Sequence, residues 1–246
     1  EVNTRRIKAL EEMARRTYEE WFVHYRYPGG DGTRPEGWEQ LTVAHAFEIT
    51  GGGTPSRKRP DYWEDGSINW YSPTDLTKSG LTFLHRSNDQ INELGLKKSS
   101  ARLFPANSVM LTSRATIGAV AINTTEACTN QGFITCLPNE RVPLFFLYHW
   151  VRANVPEFIR HASGATFKEI SKTIFKGLAF EMPSSDAVDR FEQIASPMMR
   201  RIQNLETENT NLRAQRDLLL PRLVSGAIDV SDAEVAMSEA MEVAAE

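Results

Sequence analysis

The most constraining feature of this 246-residue chain is a spaced run of residues near its C-terminal end. Val188, Phe191, Ala195, Met198, Ile202, Leu205, Asn209, Leu212, Arg216, Leu219 and Leu223 follow one another at alternating intervals of three and four. That period keeps a narrow stripe on one side of an α-helix for about five heptads, which is the pattern of a coiled-coil seam. A helix from Ser185 to Leu219 would be a rod of about 50 Å. Pro221 is expected to bend or end it, with Gly226 as a later stop. A strict seam asks for a partner helix, and a polar residue such as Asn209 inside it fixes register and orientation. Phe191, Met198, Ile202, Leu205, Asn209, Leu212 and Leu219 are therefore the candidate helix-pairing residues.

One partner is visible at the other end of the chain. From Asn3 to Tyr25, Ile7, Leu10, Ala14, Thr17 and Trp21 again alternate by three and four, with charges on the opposite face. This helix is too short to cover the whole seam. Part of the seam is expected to pair with it, and the rest with another chain or with sequence absent here. The start at Glu1, directly in helical sequence, reads as that of a fragment.

Residues 1–26 thus form a helix, and 27–36, with three glycines and two prolines, a linker. Residues 37–183 lack sustained periodicity. Short β-like runs at Val109–Thr112, Ala119–Ile122 and Phe133–Leu137 alternate with loops, and a helix over Phe145–Val155 follows Pro143. The fold class is α+β, one mixed domain of ordinary size flanked by a short N-terminal helix and a long C-terminal one. The long helix takes 184–226. The Ala/Glu/Met-rich tail, 227–246, is expected to be poorly ordered.

Charge is unevenly spread. Residues 37–183 carry 15 basic and 13 acidic side chains, whereas 184–246 carry 6 and 12, so a nucleic-acid-binding face would be local to the middle section. No stretch approaches the roughly 20 apolar residues that span a bilayer, and nothing resembles a secretion signal. Two cysteines make neither a disulfide scaffold nor a four-ligand zinc site. A cytoplasmic protein is expected, without membrane contact, metal or cofactor.

Catalytic signatures are not found. There is no Asn/Asp-Pro-Pro-aromatic tetrapeptide of an adenine methyltransferase and no Glu-x-Lys to accompany Pro60-Asp61 in a nuclease. The GGGTPS run at 51–56 lacks the Lys-Ser/Thr ending of a phosphate loop and reads as a turn-former. The five histidines are scattered without ligand spacing. No catalytic residue is assigned.

Polar, loop-borne clusters remain. Arg57, Lys58 and Arg59 form one, Lys97, Lys98 and Arg102 with Ser99 and Ser100 a second, and Thr112, Ser113 and Arg114 a third. Lys168, Lys172 and Lys176 recur every four residues, on one face if that segment is helical. Such side chains suit phosphate contacts and base-edge reading in double-stranded DNA. Arg57, Lys58, Arg59, Lys97, Lys98, Arg102, Arg114 and Lys168 are the candidate DNA-binding residues. Arg114 serves equally well as a strand–turn fastener, and Asn130 and Gln131 read as a buried polar network.

Several stretches resemble, in order, the target recognition domain of type I restriction–modification specificity subunits. These are Trp38 with Leu41, GGGTPS (51–56), INWYSPTDL (68–76), LFPANSVMLTSRATIGAVAI (103–122), ACTNQGF (127–133), SGATFKEIS (163–171) and FEMP (180–183). The opening EEMARRTYEEWFVHY (11–25) is similar to the end of the family's central conserved region, and LRAQRDLLLPRLVSGAIDV (212–230) to its distal one. The resemblance covers about nine-tenths of the chain. It implies a non-catalytic subunit that reads one half of a split DNA site with its recognition domain. It further implies conserved helices that dock methyltransferase subunits and, through the complex, a restriction subunit. The family's subunit carries two recognition domains and this chain one, so it is either a piece of the second half or a half-subunit that forms a homodimer through its helices. The runner-up reading is a coiled-coil assembly or inhibitor module whose middle domain binds protein instead of DNA.

Overall fold

Helix α1 (Val2–Tyr18) buries Ala14 and Tyr18 and turns its charges outward, as the three-four spacing demands. The α-helix does not continue to Tyr25 as expected. It widens into one π-turn, Glu19–Val23. The wider turn shifts the phase of the side chains, so that Trp21 and its neighbour Phe22 are both buried. The computed structural model describes residues 1–164 and 166–228.

Short elements then alternate. They are β1 (Glu39–Thr42), α2 (Val43–Ala46), β2 (Glu48–Gly51), β3 (Ile68–Tyr71), α3 (Pro73–Ser79), β4 (Phe83–Leu84), β5 (Asp89–Ile91), α4 (Glu93–Lys97), β6 (Val109–Thr112) and β7 (Val120–Asn123). After these come β8 (Ala127–Thr129), β9 (Phe133–Leu137), α5 (Leu144–Ala153), α6 (Val155–Arg160), α7 (Lys172–Gly177), β10 (Ala179–Met182) and α8 (Ser185–Val224). The fold is α+β, with one helix before the sheets and a long one after them. One expected strand, Ala119–Ile122, starts a residue late because the Ala119 N–H is held by Thr112 Oγ1 in the connecting turn.

The main sheet runs β2-β9-β6-β7-β4, and a smaller one β5-β3-β8. Strands β1 and β10 pair antiparallel, Glu39 opposite Met182 and Thr42 opposite Ala179. The domain therefore closes where it opened, and the chain enters and leaves through adjacent strands. Helix α5 is apolar nearly all round, with Phe145 to Val151 buried, as a helix enclosed by neighbours must be. Its start is fastened to α8, since the Phe146 N–H donates to Glu192 Oε1 at 2.7 Å.

Aromatic rings lock the flanking helices to this domain. Phe22 meets Phe146 edge-on at 4.9 Å and Phe191 at 5.4 Å, while Tyr18 packs on Phe191 at 5.8 Å and stacks on His149 at 5.9 Å. Ala187, Val188, Ala195, Met199 and Ile202 extend the same core along α8. Here the expected seam is adjusted by one residue: Met199 is buried and Met198 only partly so.

The chain divides into two compact units, Glu1–Gln203 and Asn204–Glu246. In the second, Leu205 is buried and Asn209 half-buried, whereas Leu212, Leu219 and Leu223 are 52%, 43% and 41% exposed. The helix does not end at Pro221. Losing one backbone donor leaves the proline carbonyl intact, and the Ser225 N–H still bonds it at 3.0 Å. Gly226 then stops the run in the left-handed conformation. The tail from Asp229 onward lies outside the described residues.

His149 gives the fold a pH dependence. Burial, aided by the charge of Arg152, pushes its pKa down to about 3. Because the folded state then binds fewer protons than the unfolded chain, the stability from His149 is full above about pH 6.5 and falls by about 1.4 kcal/mol per unit as pH drops toward 3. Urea unfolding at pH 7 and pH 5 should show His149→Gln losing about 2 kcal/mol less than the parent between them. Equal losses would mean that the imidazole does not titrate this way.

Candidate nucleic-acid interface

The GGGTPS run is not a free turn. Gly51 ends β2 opposite Ile134, and the next residues pass over the end of β8, where the Gly53 N–H donates to Thr129 O at 2.9 Å. A side chain on Gly52 would collide with the Thr129 and Asn130 carbonyl oxygens, and one on Gly53 with Ser100. At Gly51 the vacant side-chain position is filled by the ammonium of Lys172, the first residue of α7. The glycines thus permit close approach of backbone and lysine, a need that their turn-like composition hides.

Two grooves adjoin along this segment. One, of about 550 Å³, is lined by Gly51, Gly52, Ser99, Ser100, Arg102 and Lys172 among others. The second, of about 330 Å³, is lined by Pro73, Arg114, Asn130, Gln131 and Phe167 among others. Gly52, lying against Asn130 O, separates them. No Asp or Glu is among the described residues lining either groove. The first therefore presents positive charge and hydroxyls without a competing carboxylate in its lining, whereas the cation of the second, Arg114, has Glu169 beside it.

The second groove is built by two local devices. Asn130 Oδ1 accepts the Gly132 N–H at 2.8 Å, and Gln131 Oε1 accepts from Thr54 Oγ1 at 2.7 Å, leaving both amide NH₂ groups without an acceptor among the described residues. Asn130 is half-buried and Gln131 exposed, so the expected buried network is instead a rim. Arg114 is bridged through its backbone to Glu169, its Nε lies 3.7 Å from Glu169 Oε2, and the Ala115 N–H donates to Lys168 O. Ala115 adopts φ +62°, a strained conformation for a residue with a β-carbon and one that concentrates at ligand-binding sites. Phe167, 58% exposed, projects beside it.

The structure separates the charges that sequence had grouped. Arg57 stacks 3.6 Å from the Trp63 ring and pairs with Asp89, and Arg59 bonds Asp61 at 2.6 Å, holding that carboxyl below its ordinary range. Lys97 faces Glu93 at 3.6 Å one helical turn away. Lys58 and Lys98 are exposed and, among the described residues, carry no ion pair, as is true of Arg102 in the first groove. Lys168 does not share a helical face with Lys172 and Lys176, since it lies in the loop before α7. Lys172, grouped by its spacing with Lys168 and Lys176, is the one of the three that lines the first groove, and Phe167, which no charge pattern marks, lines the second. Phe191, Ile202 and Leu205 are buried, Met198 and Asn209 intermediate, and Leu212 and Leu219 exposed. Among the described residues, no group of three or more His, Cys, Asp or Glu is placed to hold a metal ion, and no helix is long and apolar enough to cross a membrane.

The first unit is thus an α+β domain packed against its own flanking helices, with a basic groove whose described lining residues include no carboxylate. Residues 35–215 match the family model described as type I restriction modification DNA specificity domain, and the chain belongs to that family. It is 32% identical over 180 residues to the type I restriction enzyme MjaIX specificity subunit of Methanocaldococcus jannaschii, covering 72% of this chain and 41% of the relative. It is 29% identical to the EcoR124I/EcoR124II specificity subunit of Escherichia coli, covering 74% of this chain and 48% of that one. The chain thus spans less than half the length of these curated relatives. The crystal structure of the HsdS subunit from Thermoanaerobacter tengcongensis shares the fold, with a TM-score of 0.55 at 16% identity over 90% of this chain and 52% of that one.

The glycine packing yields a contrast that stability measurements can read. Gly52→Ala must displace backbone and is expected to cost at least about 2 kcal/mol, whereas Gly51→Ala displaces only a flexible lysine tip and should cost less than about 1 kcal/mol. Denaturant midpoints of the two variants check this. Equal costs would mean that Lys172 is not seated over Gly51.

Proposed function

We propose that this chain recognises one part of a bipartite DNA target and places the methyltransferase subunits of a type I restriction–modification enzyme on it, without catalysing a reaction itself. The observation that carries the reading is the groove of the matched domain that gathers Arg102 and Lys172 with Ser99 and Ser100 and has no carboxylate among its described lining residues, together with a second groove lined by Arg114, Asn130 and Gln131. Cations place such a domain on phosphates, and amides and hydroxyls read base edges. Lys58, Lys98 and Lys168 add exposed positive charge that, among the described residues, is not tied up in ion pairs. Arg57, Arg59, Lys97 and Arg114 contribute less charge, because each already faces a carboxylate.

The half-exposed leucines of the second unit support a further part of the same reading. Leu212, Leu219 and Leu223 continue the seam where Phe191 and Ile202, buried in the first unit, leave off. A second helix, from another copy of this chain or from a second recognition half, would cover them.

Two experiments test these parts. Binding of duplex DNA, measured by fluorescence anisotropy, should weaken steeply between 50 and 200 mM salt, by about tenfold or more if several phosphates are contacted. Tight binding of a protein partner with no affinity for DNA would instead favour an assembly module. Light scattering should show a dimer that Leu212→Asp with Leu219→Asp weakens at least tenfold, leaving the folded domain unchanged. A monomer indifferent to both changes would remove the homodimer from the reading.

A further inference from the structure

We propose that Lys172 and Arg102, lining one groove over the bare backbone of Gly51 and Gly52, form a clamp for a single phosphate of the DNA backbone that acts on any sequence. The inference rests on the DNA-binding reading above and assigns a specific chemistry to one part of the face.

Three observations point to an acceptor-only, negatively charged ligand. The groove holds two cations and two serines, Ser99 and Ser100, and among its described lining residues no carboxylate. Neither Lys172 nor Arg102 makes an ion pair or a side-chain hydrogen bond among the described residues, in contrast to Arg57, Arg59 and Arg114. The Lys172 ammonium occupies the place where any residue but glycine would put its β-carbon at position 51, so the tip of this exposed lysine is set against the strand end. An ammonium and a guanidinium are donors only, and a phosphate diester offers acceptors only. Guanine also offers only acceptors, O6 and N7, to such donors in the major groove, so independence of base sequence is what marks a phosphate contact here. The neighbouring groove, with its two amides, is better suited to bases. The clamp therefore fixes position, and its neighbour discriminates.

Binding of the full chain to mixed-sequence duplexes, measured across a salt series, tests this. Lys172→Gln and Arg102→Gln should each reduce affinity three- to tenfold on every duplex and lower the salt slope by about one. Gly51→Ala removes no charge but displaces the ammonium, and it should reproduce the affinity loss of Lys172→Gln. Lys8→Gln, an equal loss of charge on exposed α1, controls for bulk electrostatics. The clamp is overturned if the groove variants match Lys8→Gln, or if their losses are confined to one DNA sequence, which would make them base readers. Failure of the parent chain to bind any duplex would overturn the DNA reading itself, and the clamp with it.

Discussion

The contact of Phe22 with Phe146 and Phe191 is the constraint on which the first unit depends. One ring comes from the π-turn after α1, one from α5 inside the domain and one from α8, so three segments distant in sequence share a single packed point. Edge-on aromatic pairs add about 0.5–1.5 kcal/mol each beyond burial, and their geometry fixes angles as well as distances. The β1–β10 pair brings the entering and leaving chain together, and the rings then set the first part of α8 against α1. His149 belongs to this cluster and stays neutral for the same reason that the rings pack: water is excluded. Removal of any of the three rings would loosen two helices at once.

A domain held this firmly can present loops as an ordered surface. The face that carries the grooves is assembled from the end of β2, the loop before Arg102, the turn after β6 and the loop that leads into α7. Carboxylates near the basic loops face Arg57, Arg59 and Arg114, while Arg102 and Lys172 leave the wall of the first groove positive although the whole chain has a net charge of −4. Local electrostatics, not composition, would give the domain the affinity for an anionic partner proposed above. Membership of the DNA specificity domain family agrees with that distribution.

Much of the architecture was legible in the sequence. The three-four spacing from Val188 to Leu223 announced the long helix, the spacing from Ile7 to Trp21 announced the first one, and the ordered motifs between them identified the family. These signals are local, since helical period and motif order depend on residues close together in the chain. Errors arose where a long-range contact decided the outcome. The π-turn at Glu19–Val23 answers to the rings beneath it, and the shift of the seam from Met198 to Met199 answers to what α8 packs against. Pro221 was expected to bend or end α8, but the helix keeps its form to Val224, because losing one donor is a small perturbation in a long run of bonds.

For the interface, sequence by itself determined the inventory: basic residues in loops, amides beside a glycine, a triple glycine after a strand. Which of those side chains are free was decided only by tertiary structure. Arg57 and Arg59, candidate anion binders by sequence, are stacked and paired, whereas Lys172, marked only by its spacing from Lys168 and Lys176, sits over Gly51 in a groove with Arg102. The physical reason is that a charge becomes available for a ligand through the absence of a nearby opposite charge. Neighbours that matter for this, such as Asp89 for Arg57, lie tens of residues away in the chain and meet it only when the sheets form.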